Sequence, residues 1–81
     1  MGVQAYILIQ TEVGKAGDVA HQIRELSGVI EADDVTGPYD VVAKAQADDM
    51  DELGRMVLSK VQMITGITRT LTCPIANGVR P

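Results

Sequence analysis

The 81-residue chain carries seven Lys and Arg against eleven Asp and Glu, a formal charge of −4. That balance excludes nucleic-acid binding through phosphates, which needs a basic face. Its first apolar run, Val3 to Ile9, is far shorter than the roughly 20 residues that cross a bilayer. Nothing in the sequence resembles a secretory signal and it holds a single cysteine, Cys73, so a reducing cytoplasmic setting is expected.

Val3–Gln10 alternates, with Val3, Ala5, Ile7 and Ile9 on one face and Gln4, Tyr6, Leu8 and Gln10 on the other. This is the pattern of a half-buried strand. Lys15–Leu26 places Ala16, Val19, Ala20, Ile23 and Leu26 at helical spacing, and Ser27-Gly28 stops that helix. Val29–Thr36 reads as a second strand, polar for its type. Tyr39–Ala47 reads as a third, with Tyr39, Val41, Ala43, Ala45 and Ala47 on one face.

Asp48-Asp49 opens a second helix. Asp49, with Glu52 three residues on, forms a capping-box pattern, and its acidic cluster suits the positive end of a helix dipole. Leu53, Met56, Val57, Lys60, Val61 and Ile64 make the inward stripe, the Lys60 stem at its edge, and Gly66 ends the helix. Ile67–Ile75 alternates Ile67, Arg69, Leu71, Cys73 and Ile75 against Thr68, Thr70 and Thr72. Pro74 weakens that strand's end. Residues 1–75 are thus expected to form one folded unit within a single domain of 81 residues, with 76–81 as a frayed tail.

An offset of 38 residues superposes the halves: Val19, Ile23 and Leu26 fall on Val57, Val61 and Ile64, and Gly28-Val29 falls on Gly66-Ile67. The order β-α-β-β-α-β predicts an α+β, ferredoxin-like fold, a four-stranded antiparallel sheet with both helices on one face. The other face stays open, carrying Gln4, Tyr6, Leu8, Gln10, Val42, Lys44 and the row Thr68, Thr70 and Thr72. With no Phe or Trp and only two Tyr, the core must be built of small aliphatics. A chain this short buries only about 60–65% of its unfolded surface. Extra burial in a sheet-to-sheet dimer is therefore expected, with Tyr6, Leu8 and Val42 in the interface.

Between the second and third strands stands Gly37-Pro38-Tyr39-Asp40. Gly-Pro is turn chemistry. The Tyr-Asp that follows is not required by a turn. Tyr39 can wall a small polar ligand or simply pack. Asp40 can meet a ligand's ammonium or instead bond backbone amides of its own hairpin.

The Gly-Pro-Tyr-Asp hairpin in this element order resembles the effector (RAM) domain of the Lrp/AsnC, or feast/famine, regulators. Tyr6-Ile7-Leu8-Ile9, Gly28-Val29, Thr36 to Val41, Asp51-Glu52-Leu53 and Gly66-Ile67-Thr68-Arg69-Thr70 extend the resemblance over almost the whole chain. It implies a domain that binds amino acids or related small molecules and dimerises through its sheet. It also implies that dimers assemble into octamers or similar rings. The effector site then lies between dimers near the hairpin, which maps onto Gly37, Tyr39 and Asp40, with Thr68 and Thr70 on the last strand. Full regulators of the family carry a preceding helix-turn-helix domain. This sequence starts at the first strand, so a stand-alone effector module without its own DNA contacts is expected, able to join full-length regulators.

Other features point to structure rather than chemistry. His21 has no second His or Cys at ligand spacing. Cys73 reads as a small buried hydrophobe. Asp33-Asp34 lies across two faces of a strand and Asp48-Asp49 serves a helix start, so neither pair is a metal site. Met50, Met56 and Met63 read as core and edge filler. Gly14-Lys15-Ala16-Gly17 lacks the spacing of a phosphate loop. No cofactor is expected. The alternatives are a purely structural assembly partner of full-length regulators and a small dimeric ferredoxin-like enzyme. The second lacks a convergent catalytic pair.

Overall fold

The computed structural model describes residues 2–76. Its elements follow the expected order: β1 (Val3–Thr11), α1 (Ala16–Arg24), β2 (Val29–Asp34), β3 (Val41–Ala47), a second helix α2, and β4 (Ile67–Pro74). α2 runs as Met50–Leu53, widens into a π-type turn over Gly54–Leu58 and returns to α geometry over Ser59–Val61. The four antiparallel strands lie in the order β2-β3-β1-β4, the ferredoxin-like arrangement. Of the expected tail, 77–81 lie outside the described residues.

The core is aliphatic throughout. Ala5, Ile7 and Ile9 of β1, Ala32 of β2, and Val41, Ala43 and Ala45 of β3 form its floor. Val19, Ala20 and Ile23 of α1 and Leu53, Val57 and Val61 of α2 cover it. The α1 stripe is as the spacing predicts, with Ala16 and Leu26 packed at its margins.

The α2 stripe differs. Its buried residues recur at every fourth position, while Met56 and Lys60 are exposed. An ordinary α-helix would rotate such a row off the sheet, because four residues overshoot one 3.6-residue turn. The π-type turn, in which Ser59 N–H donates to Gly54 O, takes up the excess. At the other end Asp49 Oδ1 accepts from Glu52 N–H (2.8 Å). Glu52 Oε1 accepts from Asp48 N–H (3.0 Å), a capping box displaced by one residue.

Two irregularities reset the strand faces. Val29 pairs with Ala45 but Glu31 with Lys44, so Ile30 is extra in β2. Gln10 pairs with Arg69 but Thr11 with Ile67, so Thr68 is extra in β4. The second bulge corrects the expected face of β4. Ile67 packs on the core. Beyond the bulge Thr70 and Thr72 stand opposite Ile9 and Ile7 on the helix-covered face. The open face receives Arg69, Leu71 and Cys73, opposite Gln10, Leu8 and Tyr6. Strict alternation cannot reveal this, because one extra residue inverts every side chain beyond it. Cys73 is consequently exposed rather than buried.

Gly28 and Gly66, matched by the 38-residue offset, do matching work. Both have positive φ, 92° and 103°. A Cβ on Gly28 would stand 2.9 Å from Val57 Cγ2 of α2, and one on Gly66 would stand 3.3 Å from Lys15 Cβ and 3.5 Å from Val19 Cγ2 of α1. Each glycine thus lets the chain turn beneath the helix of the other half. Gly28→Ala should cost about 1–2 kcal/mol in left-handed strain alone, with the Val57 clash added. The melting temperature should fall by roughly 5–15 °C. Gly14→Ala, at φ 82° with nothing within 4 Å, should lose less. Equal melting temperatures for the two variants would refute the packing role.

Candidate functional site

The hairpin motif is more open than Gly-Pro suggests. β2 ends at Asp34 and β3 begins at Val41, leaving a six-residue connection, 35–40, instead of two turn residues. Tyr39 and Asp40 precede β3 rather than belonging to it. Val35 N–H donates to Asp40 O (2.8 Å), closing the base of the loop. Gly37 takes φ 143°, and a Cβ there would meet nothing within 4 Å, so the backbone path, not packing, calls for glycine there.

Three hydrogen bonds fasten this loop to the end of β1. Asp40 N–H donates to Ile9 O (2.8 Å). Thr11 N–H donates to Asp40 Oδ2 (2.8 Å). Gln10 Nε2 donates to Pro38 O (3.0 Å). The Thr11 bond has a simple origin. Ile9 and Thr11 present their backbone groups to the β3 side, but the chain swings away at Asp40 into the loop. Thr11 N–H would lose its ladder acceptor, and the half-buried Asp40 carboxylate replaces it. Asp40 therefore holds β1 rather than amides of its own hairpin. Among the described residues Oδ1 makes no hydrogen bond, so one carboxylate oxygen is structural and the other is available.

This end of the sheet also gathers the β1–α1 turn and the start of β4, since Glu12 N–H donates to Gly66 O (2.8 Å). Tyr39 is half-buried beside Asp40. Thr68, exposed at the bulge, belongs to the same end. Thr70 pairs with Ile9 from the far side of β1, two strand spacings from β3, or about 10 Å. Gly37, Tyr39 and Asp40 are thus one local group, while Thr68 and Thr70 lie across β1 from it. Sequence reading missed Gln10 and Thr11, whose backbone and amide groups fix the loop. No residue-type signal marks a main-chain N–H that has lost its ladder partner.

The open face is a second candidate surface. Tyr6, Leu8, Val42 and Lys44 lie on it as expected, and Leu71 and Cys73 replace the threonine row. Tyr6 is 43% and Leu71 37% exposed. Lys44 Nζ lies 5.7 Å from the centroid of the Tyr6 ring, a cation–π contact. His21 is exposed with Glu25 Oε2 3.8 Å away, and the described residues contain no grouping able to hold a metal ion. Among them no helix is long and apolar enough to cross a membrane.

A family model described as the Lrp/AsnC ligand binding domain matches residues 4–80. The chain belongs to the Lrp/AsnC family. It is 35% identical over 75 residues to an uncharacterised HTH-type transcriptional regulator, PH1916, of Pyrococcus horikoshii, matching 89% of this chain and 50% of the relative. The chain thus spans about half the length of the curated relatives it matches. Among solved structures, TTHA0845 from Thermus thermophilus aligns with a TM-score of 0.88 at 30% identity, over 98% of this chain and 99% of that one. The AsnC protein of E. coli aligns at 0.83 and 25% identity, over 98% and 54%. A more distant fold relative is the Neisseria meningitidis regulator NMB0573, solved as a complex with L-Met. It aligns at 0.80 and 20% identity, over 98% of this chain and 53% of that one. This is a ligand binding domain of the Lrp/AsnC type, and the curated relatives it matches are named transcriptional regulators.

The Asp40–Thr11 bond has a measurable worth. Asp40→Ala should cost about 1 kcal/mol or somewhat more, because the half-buried Thr11 N–H loses its acceptor. Asp40→Asn should cost less, because its amide oxygen can accept the same N–H. Urea unfolding of both variants checks the order. An Asp40→Ala protein as stable as wild type would remove the structural role.

Proposed function

We propose that the domain binds a free amino acid or a close relative at the hairpin end of the sheet, in a cleft completed by a neighbouring dimer. The observation that carries this reading is the divided Asp40 carboxylate, with Oδ2 fixed on Thr11 and Oδ1 left to accept from an ammonium. Backbone N–H groups around Gly37 would receive the ligand's carboxylate, and Tyr39 would wall the site. Thr68 would reach a ligand lying over the end of β1, with Thr70 behind it. The L-Met complex of the Neisseria meningitidis regulator supports an amino-acid ligand.

Calorimetric titration with the common amino acids tests this. A charge-assisted bond contributes about 1.5–3 kcal/mol, so Asp40→Asn should weaken binding roughly 10- to 150-fold while the protein stays folded and assembled. No binding of any amino acid to wild type at millimolar concentration would overturn the reading in favour of a purely structural assembly partner.

We further propose that the open face pairs with that of a second copy and that such dimers join into rings of octamer type, acting in the cytoplasm with or beside full-length regulators. Tyr6 and Leu71 are large apolar groups that pairing would cover. Tyr6→Asp should shift the light-scattering mass toward 8.6 kDa, because a carboxylate buried there would have no partner. An unchanged mass for that variant would exclude this face. With a charge of −4, the purified domain should give no salt-sensitive, sequence-specific gel shift of a DNA duplex.

A further inference from the structure

The loop 35–40 is fastened unevenly. Its last residue is secured twice: Asp40 N–H donates to Ile9 O, and Thr11 N–H donates to Asp40 Oδ2. Its base is closed by Val35 N–H on Asp40 O. The tip, Gly37-Pro38-Tyr39, has a single tie among the described residues. Gln10 Nε2 donates to Pro38 O at 3.0 Å, across 28 positions of sequence. That tie comes from the open face of the sheet, where Gln10 stands opposite Arg69.

The consequence falls on one peptide plane. Pro38 C=O and Tyr39 N–H belong to the same trans unit, in which the two groups point in opposite directions. The ring of Pro38 fixes its φ, so the tilt of this plane hangs mainly on one torsion, Pro38 ψ. A donor that grips Pro38 O sets that torsion and turns Tyr39 N–H away from Gln10. No hydrogen bond among the described residues uses the Tyr39 N–H.

We infer that Gln10 is a positioning residue for the amino-acid site proposed above, on which this assignment rests: by holding Pro38 O, it aims Tyr39 N–H at the ligand's carboxylate. An α-amino acid carries its ammonium and its carboxylate on one carbon. Asp40 Oδ1 and Tyr39 N–H belong to adjacent residues, so one ligand can engage both. Asp40 is fixed by its own two bonds and is independent of Gln10. Gln10 therefore governs the carboxylate end of the ligand and leaves the ammonium end to Asp40. The residue type matters. Asn is one methylene too short to reach Pro38 O. Glu has the length, but an ionised carboxylate only accepts and repels the carbonyl oxygen.

Gln10→Asn and Gln10→Glu separate reach from donor chemistry, and Gln10→Asn does so without changing charge. Each is titrated calorimetrically with the common L-amino acids and with the carboxamide of every one that binds wild type. The carboxamide keeps the ammonium and loses the carboxylate. For the free amino acid, both variants should raise the dissociation constant about 3- to 10-fold, the range of one neutral hydrogen bond. For the carboxamide, Gln10→Asn should change it less than about twofold, whereas Asp40→Asn should weaken both forms. A loss of overall stability would move acid and carboxamide alike. Melting temperatures should stay within about 3 °C of wild type, because this loop bond opens locally. In NMR relaxation without amino acid, the order parameters of the Gly37 and Tyr39 amides should fall from about 0.85 toward 0.6 in both variants, with the Asp40 amide still rigid. Unchanged affinity for the free amino acid, equal losses for acid and carboxamide in Gln10→Asn, or a tip that stays rigid would each overturn the role of Gln10 while the Asp40 site stands. If wild type binds none of the amino acids, the site itself falls and the Gln10 assignment with it.

Discussion

A core with no aromatic ring can close only if its layers come close together, and that requirement governs this fold. The floor of the sheet is graded. Bulk stands on β1 as Ile7, in a row with Ala43 and Ala32, and as Ile9 beside Val41, while Ala5 and Ala45 make up the next row. Helices resting on alanines approach the strands closely, so the connections beneath them cannot carry side chains. Gly28 and Gly66 meet that demand where each half passes under the other's helix. The same economy leaves little apolar surface buried within one copy, and stability is more sensitive to each contact in a small domain.

The proposed site and the scaffold share atoms at the hairpin end. The loop 35–40 has no core of its own, and its position is set by three hydrogen bonds to the last residues of β1. A ligand contacting Asp40 would therefore touch a residue that also terminates the central strand pairing. Changes at that carboxylate can pass to Thr11 and onward to the turn that begins α1. Coupling between an effector and an assembly needs such a shared element, with contacts that differ between states.

Element order, both helix stripes' centres, the Asp49 cap of α2 and the pairing of Gly28 with Gly66 were legible in the sequence. Each is a local or periodic property. The Asp49–Glu52 spacing forecast its hydrogen bond directly. What escaped was whatever depends on one extra residue. The Thr68 bulge moved Thr70 and Thr72 beneath the helices and brought Leu71 and Cys73 out, and the π-type turn dropped Met56 and Lys60 from the α2 stripe. Periodicity assumes unbroken strands and helices, so an insertion within an element is invisible to it. At the hairpin, residue types marked the right place, but the partner of Asp40 lay 29 positions away in sequence. Only the fold could supply it.

Arg24, near the end of α1, donates its Nε–H to Ala32 O at 2.7 Å. With Val35 paired to Asp40, the alternation of the β2–β3 ladder turns Ala32's backbone groups away from β3, toward the free edge. An edge with vacant carbonyls is a template onto which further strands can add without limit. Here a guanidinium from the protein's own helix blocks that growth at the middle of β2. In the assembly proposed above, association would thereby be diverted from edges to faces, and face contacts related by rotation can close on themselves. The difference between a particle of fixed size and an unending ribbon would then rest in part on one arginine.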